Sequence, residues 1–169
     1  ARIKGAEAVG MASTDEKCRL LVEKLAYVAA INYKTEGISA TLDQHFPEGI
    51  DLYFDNVGGE ILDIALSKIR RYARVVCCGR ISQYKEGASA TYALKNWHRI
   101  GATRSRMEGF FIYDYEAQFP EAEREMAKWI AEGKLKYQED ILEGLEAMPT
   151  ALNRLFTHKN IGKQLVKIA

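Results

Sequence analysis

The most constraining feature of this chain is the run ARVVCCG at residues 73–79, apolar on both faces after Arg74 and too short for a buried helix. A strand of that kind is buried on both sides, as in parallel sheets covered by helices. Its surroundings agree. Residues 50–57 (IDLYFDNV) form a second strand candidate. Gly58-Gly59 turns it into a segment with Ile61, Leu62, Ala65, Leu66 and Ile69 on one helical face. Residues 6–12 (AEAVGMA) and 29–33 (AAINY) are shorter strand candidates. Between them, Ser13 and Glu16 have capping-box spacing, and Cys18, Leu21, Val22 and Leu25 recur at helical spacing. Residues 36–45 read as weakly helical. Strand and helix alternate, which predicts an α/β fold, a doubly wound parallel sheet of Rossmann type.

Residues 80–104 are polar and irregular, a length that suits a binding loop or a short hidden helix. Strand character resumes at 107–112 (MEGFFI). Phe119, Ala122, Met126, Trp129 and Ile130 then mark an amphipathic helix ended by Gly133. Beyond it, 137–142 looks extended, a helix starts near Pro149, and 164–168 (QLVKI) is a last strand. This change of rhythm predicts two parts: residues 1–135 as a partial dinucleotide-binding domain and 136–169 as a separate C-terminal segment.

Composition narrows the function. A net charge of +1 gives no global attraction to nucleic acid or to an anionic membrane. Arg99, Arg104 and Arg106 beside Trp97 are set aside as a nucleic-acid patch on that ground. No apolar run approaches the roughly 20 residues that span a bilayer. The three cysteines, Cys18, Cys77 and Cys78, lack zinc spacing and read as reduced packing residues. With no signal-peptide pattern at the front, the expected compartment is the cytoplasm. His45, His98 and His158 are scattered, so no metal site is expected.

Open parallel sheets bind ligands at the carboxyl ends of their strands. After the first strand comes Ala12-Ser13-Thr14, small and neutral where a domain reading NAD carries an acid. Lys17 follows one turn later. A hydroxyl and a lysine suit a 2′-phosphate; the bland alternative is that Ser13 is a helix cap and Lys17 a solvated residue. The third strand ends in Asp55-Asn56-Val57-Gly58-Gly59, a ligand approach or a simple turn. The fourth ends in Cys78-Gly79-Arg80-Ile81-Ser82-Gln83-Tyr84, rich in backbone amides and hydroxyls. Asn160-Ile161-Gly162-Lys163 is another polar turn.

These segments together carry a resemblance. STDEKCRLL, AAINYKTE, IDLYFDNVGGEILD, CGRISQY, RMEGFFIYDY, AEGKLKYQEDILEGLEAMPTAL and KNIGKQLVKIA run in order across nearly the whole chain. In this it resembles the zinc-independent branch of the medium-chain dehydrogenase/reductase superfamily, the group of prostaglandin, leukotriene and curcumin reductases. The resemblance implies NADP as cofactor and hydride delivery to the C=C of an α,β-unsaturated ketone or aldehyde. It implies that Lys17 meets the 2′-phosphate with Ser13 beside it, and that Tyr33 lies near the adenosine ribose. By the same resemblance Asn56, Cys78, Gly79, Ile81, Ser82, Tyr84, Phe110, Phe111, Ile112 and Asn160 contact the cofactor. Tyr84 is the expected catalytic residue, a hydrogen-bond donor to the substrate oxygen or the ribose, because a phenol of pKa near 10 donates better than it accepts a proton. A homodimer paired through the domain edge is also implied. The alternatives are a non-catalytic NADP-binding module of the same fold and a quinone or alcohol dehydrogenase relative.

Three features depart from the family. Arg80 stands where relatives carry a small residue. Ala102 replaces a tyrosine found in some of them. The loop at 85–96 has no proline. In addition, ARIKGA resembles the end of the helix that follows the family's glycine-rich turn. The expectation is therefore a sheet without its first strand and pyrophosphate loop, inactive alone, whose C-terminal segment would pack on an absent substrate domain.

Overall fold

A computed structural model describes residues 1–84 and 91–168. The loop at 85–96 therefore lies in part, at 85–90, outside the described residues. The elements run β1 (Val9–Ala12), α1 (Asp15–Arg19), β2 (Ala29–Asn32), α2 (Ile38–His45), β3 (Ile50–Asp55), α3 (Gly59–Ser67), β4 (Ile69–Cys77), α4 (Arg99–Thr103), β5 (Arg106–Gly109), α5 (Phe119–Ala131), β6 (Glu139–Glu143), α6 (Met148–Phe156) and β7 (Lys163–Lys167). The expected alternation is present. The short helix α4 answers the question left open by the irregular stretch 80–104. Every strand pairing among the described residues is parallel.

The chain forms two compact units, one of residues 1–35 with 121–169, the other of 36–120. In the first, β1 pairs with β2 from Val9↔Ala29 to Ala12↔Asn32. The helix from α1 continues through a wider π turn at Leu20–Lys24. It crosses β1 so closely that a Cβ on Gly10 would meet Leu21 Cδ1 at 2.7 Å. The cap of α1 corrects the sequence reading. Thr14, not Ser13, is the N-cap, its hydroxyl accepting from the Lys17 amide at 3.2 Å, while Ser13 is buried. In the same unit β6 pairs with β7 from Glu139↔Lys163 to Glu143↔Lys167, with α6 as the crossover.

The second unit holds the sheet β3-β4-β5. Leu62, Leu66, Ile69, Ala73 and Val75 form its core, with Tyr53, Leu94 and Ile100 packed against them. The apolar face of α3 reaches this core through Leu62, Ala65 and Leu66 at helical spacing, whereas Ile69, expected on that face, opens β4 instead. On β3, Tyr53 packs on the core while Leu52 and Phe54 stay half-exposed. β4 also begins earlier than its apolar run suggests. Its polar start is distorted, with a register shift between Ile50 and Leu52 of β3 and Tyr72 at φ 65°. No described helix is long and apolar enough to cross a membrane.

Candidate functional site

The strand ends place candidate residues in both units. In the first unit the register Ala12↔Asn32 sets Ser13 and Tyr33 side by side, just past β1 and β2. The Tyr33 amide donates to the Ala12 carbonyl at 3.1 Å, which fixes this corner. Asn32, which the sequence reading passed over, is buried and donates from Nδ2 to Asp15 Oδ1 at 2.6 Å. Asp15 is the first carboxylate after β1, and this bond occupies its Oδ1. Asp15 and Glu16 are exposed, and Lys17 beside them is half-buried.

Lys17 lines a cleft of about 570 Å³ together with Thr14, Glu16, Arg154, His158 and Lys159. Its Nζ donates to the His158 carbonyl at 2.8 Å. Partial burial and the neighbouring Lys34 ammonium hold Lys17 below the ordinary lysine range, against the opposing pull of Glu16 and Asp140. The far wall is rigid. Arg154 pairs with Asp140 at 2.5 Å and donates to the Lys159 carbonyl at 3.2 Å, while Asp140 also accepts the Ile161 amide at 2.9 Å. Asn160 sits in this turn and donates to the Gly162 carbonyl at 2.9 Å. Gly162 must be glycine: at φ 89° a Cβ would lie 2.2 Å from the Gln138 carbonyl oxygen. Arg154 and Asp140 hold this turn in place, and no sequence spacing signalled them.

In the second unit Asp55 is the organising residue. Its carboxylate is buried and accepts the Val57 amide at 3.1 Å and the Gly58 amide on both oxygens at 3.1 Å. The Tyr53 hydroxyl donates to it at 3.3 Å. Burial, with the Asp55 charge, pushes both the Tyr53 phenol and the Cys77 thiol up. The alternation IDLYFD offered one signal for Asp55, since it puts this acid on the inner face directly before the turn. The main chain of the two turns then interlocks. Cys78 and Gly79 amides donate to the Asp55 carbonyl at 2.8 and 3.2 Å, the Ile81 amide to Asn56 at 3.1 Å, and the Ser82 amide to Val57 at 3.2 Å. Ser82 Oγ donates to the same Val57 carbonyl at 2.6 Å. Gly58 and Gly59 have φ of 68° and 61°, and a Cβ on them would meet Arg80 at 3.1 Å and Ser82 at 3.0 Å.

Tyr84 closes this loop. Its hydroxyl oxygen accepts the Arg80 amide at 3.4 Å, which leaves the phenolic proton free to donate outward. The side chain is exposed. A Cβ on Gly79 would stand 3.4 Å from both the Tyr84 hydroxyl and the Asn56 carbonyl, so glycine keeps the space between them open. Phe110 follows β5, donates its amide to the Cys77 carbonyl at 3.4 Å, and packs its ring on Phe54 and Tyr115 at 5.9 and 6.0 Å. Phe111 and Ile112 are exposed. The structure thus brings together Asn56, Cys78, Gly79, Ile81, Ser82 and Tyr84, with Phe110 attached through Cys77. Ser13, Lys17, Tyr33 and Asn160 gather in the other unit. Of the cysteines expected to be packing residues, Cys78 is exposed, because it lies past the end of β4.

Both clusters lie past the carboxyl ends of parallel strands, and comparison with known proteins supplies the family to which this fold belongs. The family model described as zinc-binding dehydrogenase matches residues 1–132. A 2-alkenal reductase (NADP(+)-dependent) of Nicotiana tabacum is 42% identical across 100% of this chain and 49% of its own length. Prostaglandin reductase 1 of Bos taurus is 36% identical across 99% of this chain and 51% of its own. The crystal structure of CurA in complex with NADPH from Vibrio vulnificus superposes with a TM-score of 0.89 at 31% identity, covering 99% of this chain and 51% of that one. The chain belongs to the medium-chain dehydrogenase/reductase superfamily, in the zinc-independent branch that contains these reductases. It spans about half the length of the curated relatives it matches.

Proposed function

We propose that this chain is the NADP-binding part of a reductase that delivers hydride to the C=C of α,β-unsaturated ketones or aldehydes. The observation that carries the cofactor choice is the basic cleft at the end of β1, where Lys17 stands with Arg154, His158 and Lys159. The residues directly after the strand, Ser13 and Thr14, are uncharged, and the first carboxylate, Asp15, is bonded through Oδ1 to Asn32. A 2′-phosphate needs donors and positive charge, and Lys17 would exchange the His158 carbonyl for phosphate oxygens. Tyr33 stands beside it for the ribose. The open space at Gly79, framed by Asn56 and Tyr84, fits a flat ring that must approach backbone closely.

NADPH, when bound, supplies the hydride; the protein supplies orientation and electrostatics. Asn56 and the amides and hydroxyls of the loop through Ile81 and Ser82 hold the ring end. Phe111 and Ile112 offer apolar cover against water. Tyr84 has its proton free, so it donates to the substrate carbonyl oxygen and stabilises the negative charge that grows there. The names of the tobacco and bovine relatives support the choice of acceptor. Residues 136–169 form the part that covers a substrate domain, and the outer edge of β5, exposed along Arg106–Gly109, forms a homodimer contact. The test is NADPH oxidation with a simple enone by a protein that carries this chain together with a pyrophosphate loop and a substrate domain, followed by loss of reduced-nicotinamide absorbance. Turnover that is much faster with NADPH than with NADH is expected. Tight NADPH binding with no turnover would overturn the enzyme reading in favour of a binding module.

A further inference from the structure

A second cavity lies at the amino ends of β3 and β4 and just before β5, away from the Asp55–Tyr84 turns at the carboxyl ends. It is an open hollow of about 420 Å³, and its lining includes Lys68, Arg70, Arg71 and Arg99 against two carboxylates, Asp43 and Glu48. Two of the four cations are in ion pairs. Lys68 Nζ pairs with Asp43 at 2.6 Å, and Arg70 pairs with Asp51. Arg71 and Arg99 have no carboxylate partner among the described residues. Arg99 Nε is shielded from solvent and has no hydrogen-bond partner among the described residues. A shielded guanidinium N–H without an acceptor is costly, and an oxyanion removes that cost.

Helix polarity does not explain these two arginines. Lys68 follows the last residue of α3, where carbonyls attract a cation. Arg99 instead opens α4, where the backbone N–H groups disfavour a positive charge, and Arg71 is in a strand. The walls are fixed by the protein itself. Thr103 Oγ1 lies 2.7 Å from the Arg99 carbonyl and 2.6 Å from Ser105 Oγ, which lies 3.2 Å from the Arg70 carbonyl, so two hydroxyl protons serve these three contacts in turn. Gly49, at φ 87°, lies so close to the start of β4 that a Cβ would meet Arg70 Cβ and the Lys68 carbonyl at 2.9 Å each. Beside the cavity Tyr72 is held at φ 65°, and the guanidinium carbons of Arg71 and Arg104 stand 5.1 and 5.0 Å from its ring centre. A tyrosine in the left-handed region is a strained position that surrounding contacts must enforce.

We propose that this cavity is a binding site for a small anion carrying a phosphate or pyrophosphate group, held by Arg71 and Arg99. The planar forks of two arginines match paired oxyanion oxygens; neither is in an ion pair among the described residues, and an anion would draw the Arg71 guanidinium off the Tyr72 ring. The site is independent of the cofactor reading, since its residues share nothing with the Lys17 cleft or the Tyr84 loop.

The test is calorimetric titration of the protein with inorganic pyrophosphate at low salt. One-site binding is expected, weakened at least tenfold (by about 1.4 kcal/mol) in Arg71→Gln/Arg99→Gln and unchanged in Lys17→Ala. Binding lost in Lys17→Ala but kept in the arginine variant would put the anion in the cofactor cleft and overturn the proposal. No binding to the unsubstituted protein would do the same. Arg71→Gln alone, an exposed residue outside any ion pair, guards against misfolding of the double variant. The Arg99 Nε–H resonance gives a direct check: it shifts on titration if the site is real, and its constancy would sink the idea.

Discussion

At the scale of single residues, charge and proton ownership decide the chemistry. Lys17 is the residue on which cofactor choice turns. Lys17→Ala should weaken NADPH by about 10- to 100-fold, or about 1.4–2.7 kcal/mol, with NADH little changed. Equal loss for both cofactors in binding titrations would refute the 2′-phosphate role. The same residue sets a pH dependence. Its pKa is lowered, so the charged form that pairs with phosphate is lost at a lower pH than for an ordinary lysine. The kcat/KM for NADPH should therefore fall as pH rises through this lowered value, and Lys17→Arg should remove the fall, because a guanidinium stays charged. A profile identical in the two proteins would count against the assignment. Tyr84 is tested separately. Tyr84→Phe keeps the ring and removes the donor, so kcat should drop by about 100-fold with NADPH affinity retained. Unchanged kcat would move the proton-donating role elsewhere.

At the scale of elements, one buried carboxylate holds two turns together. Asp55 accepts two amides at the start of α3 and a phenol, and its own carbonyl takes the amides of Cys78 and Gly79. Asp55→Ala leaves the Val57 and Gly58 amides without acceptors, which costs about 1–3 kcal/mol per unsatisfied group. The expected result is a lower midpoint in denaturant unfolding and a weaker grip on the nicotinamide end, with NADPH discrimination over NADH preserved, because Lys17 stands in the other unit. A variant as stable as the parent would show that water replaces the carboxylate. Asp55 could be seen in the alternation IDLYFD. The cap of α1 could not, since Ser13 and Thr14 are both good caps and only the packing of Ser13 beneath the strand ends chooses Thr14.

At the scale of the whole molecule, apolar surface is the outstanding feature. Ile141, Leu145, Met148, Leu152 and Leu165 stay partly to largely exposed on the β6–α6–β7 segment. On α6 Ala151 is buried while Met148, Leu152 and Leu155, at helical spacing, leave an apolar stripe exposed. Expressed as this chain alone, the protein should self-associate on size exclusion, and Leu152→Glu should shift it toward the monomer. A monomer at every concentration would argue against the covering role proposed for residues 136–169.

The sequence by itself determined the alternation of strands and helices, the strand ends where ligand-binding residues gather, and the family. These depend on local spacing and on ordered motifs, which are properties of the chain read in one dimension. Long-range contact decided the rest. Asn32 reaches back to bond Asp15, and Arg154 ties Asp140 to the turn above Lys17. The Arg80 amide donates to the Tyr84 hydroxyl oxygen. Leu52 and Phe54 of β3 stay half-exposed. Periodicity says which residues shun water; only the folded chain says which of them found a partner.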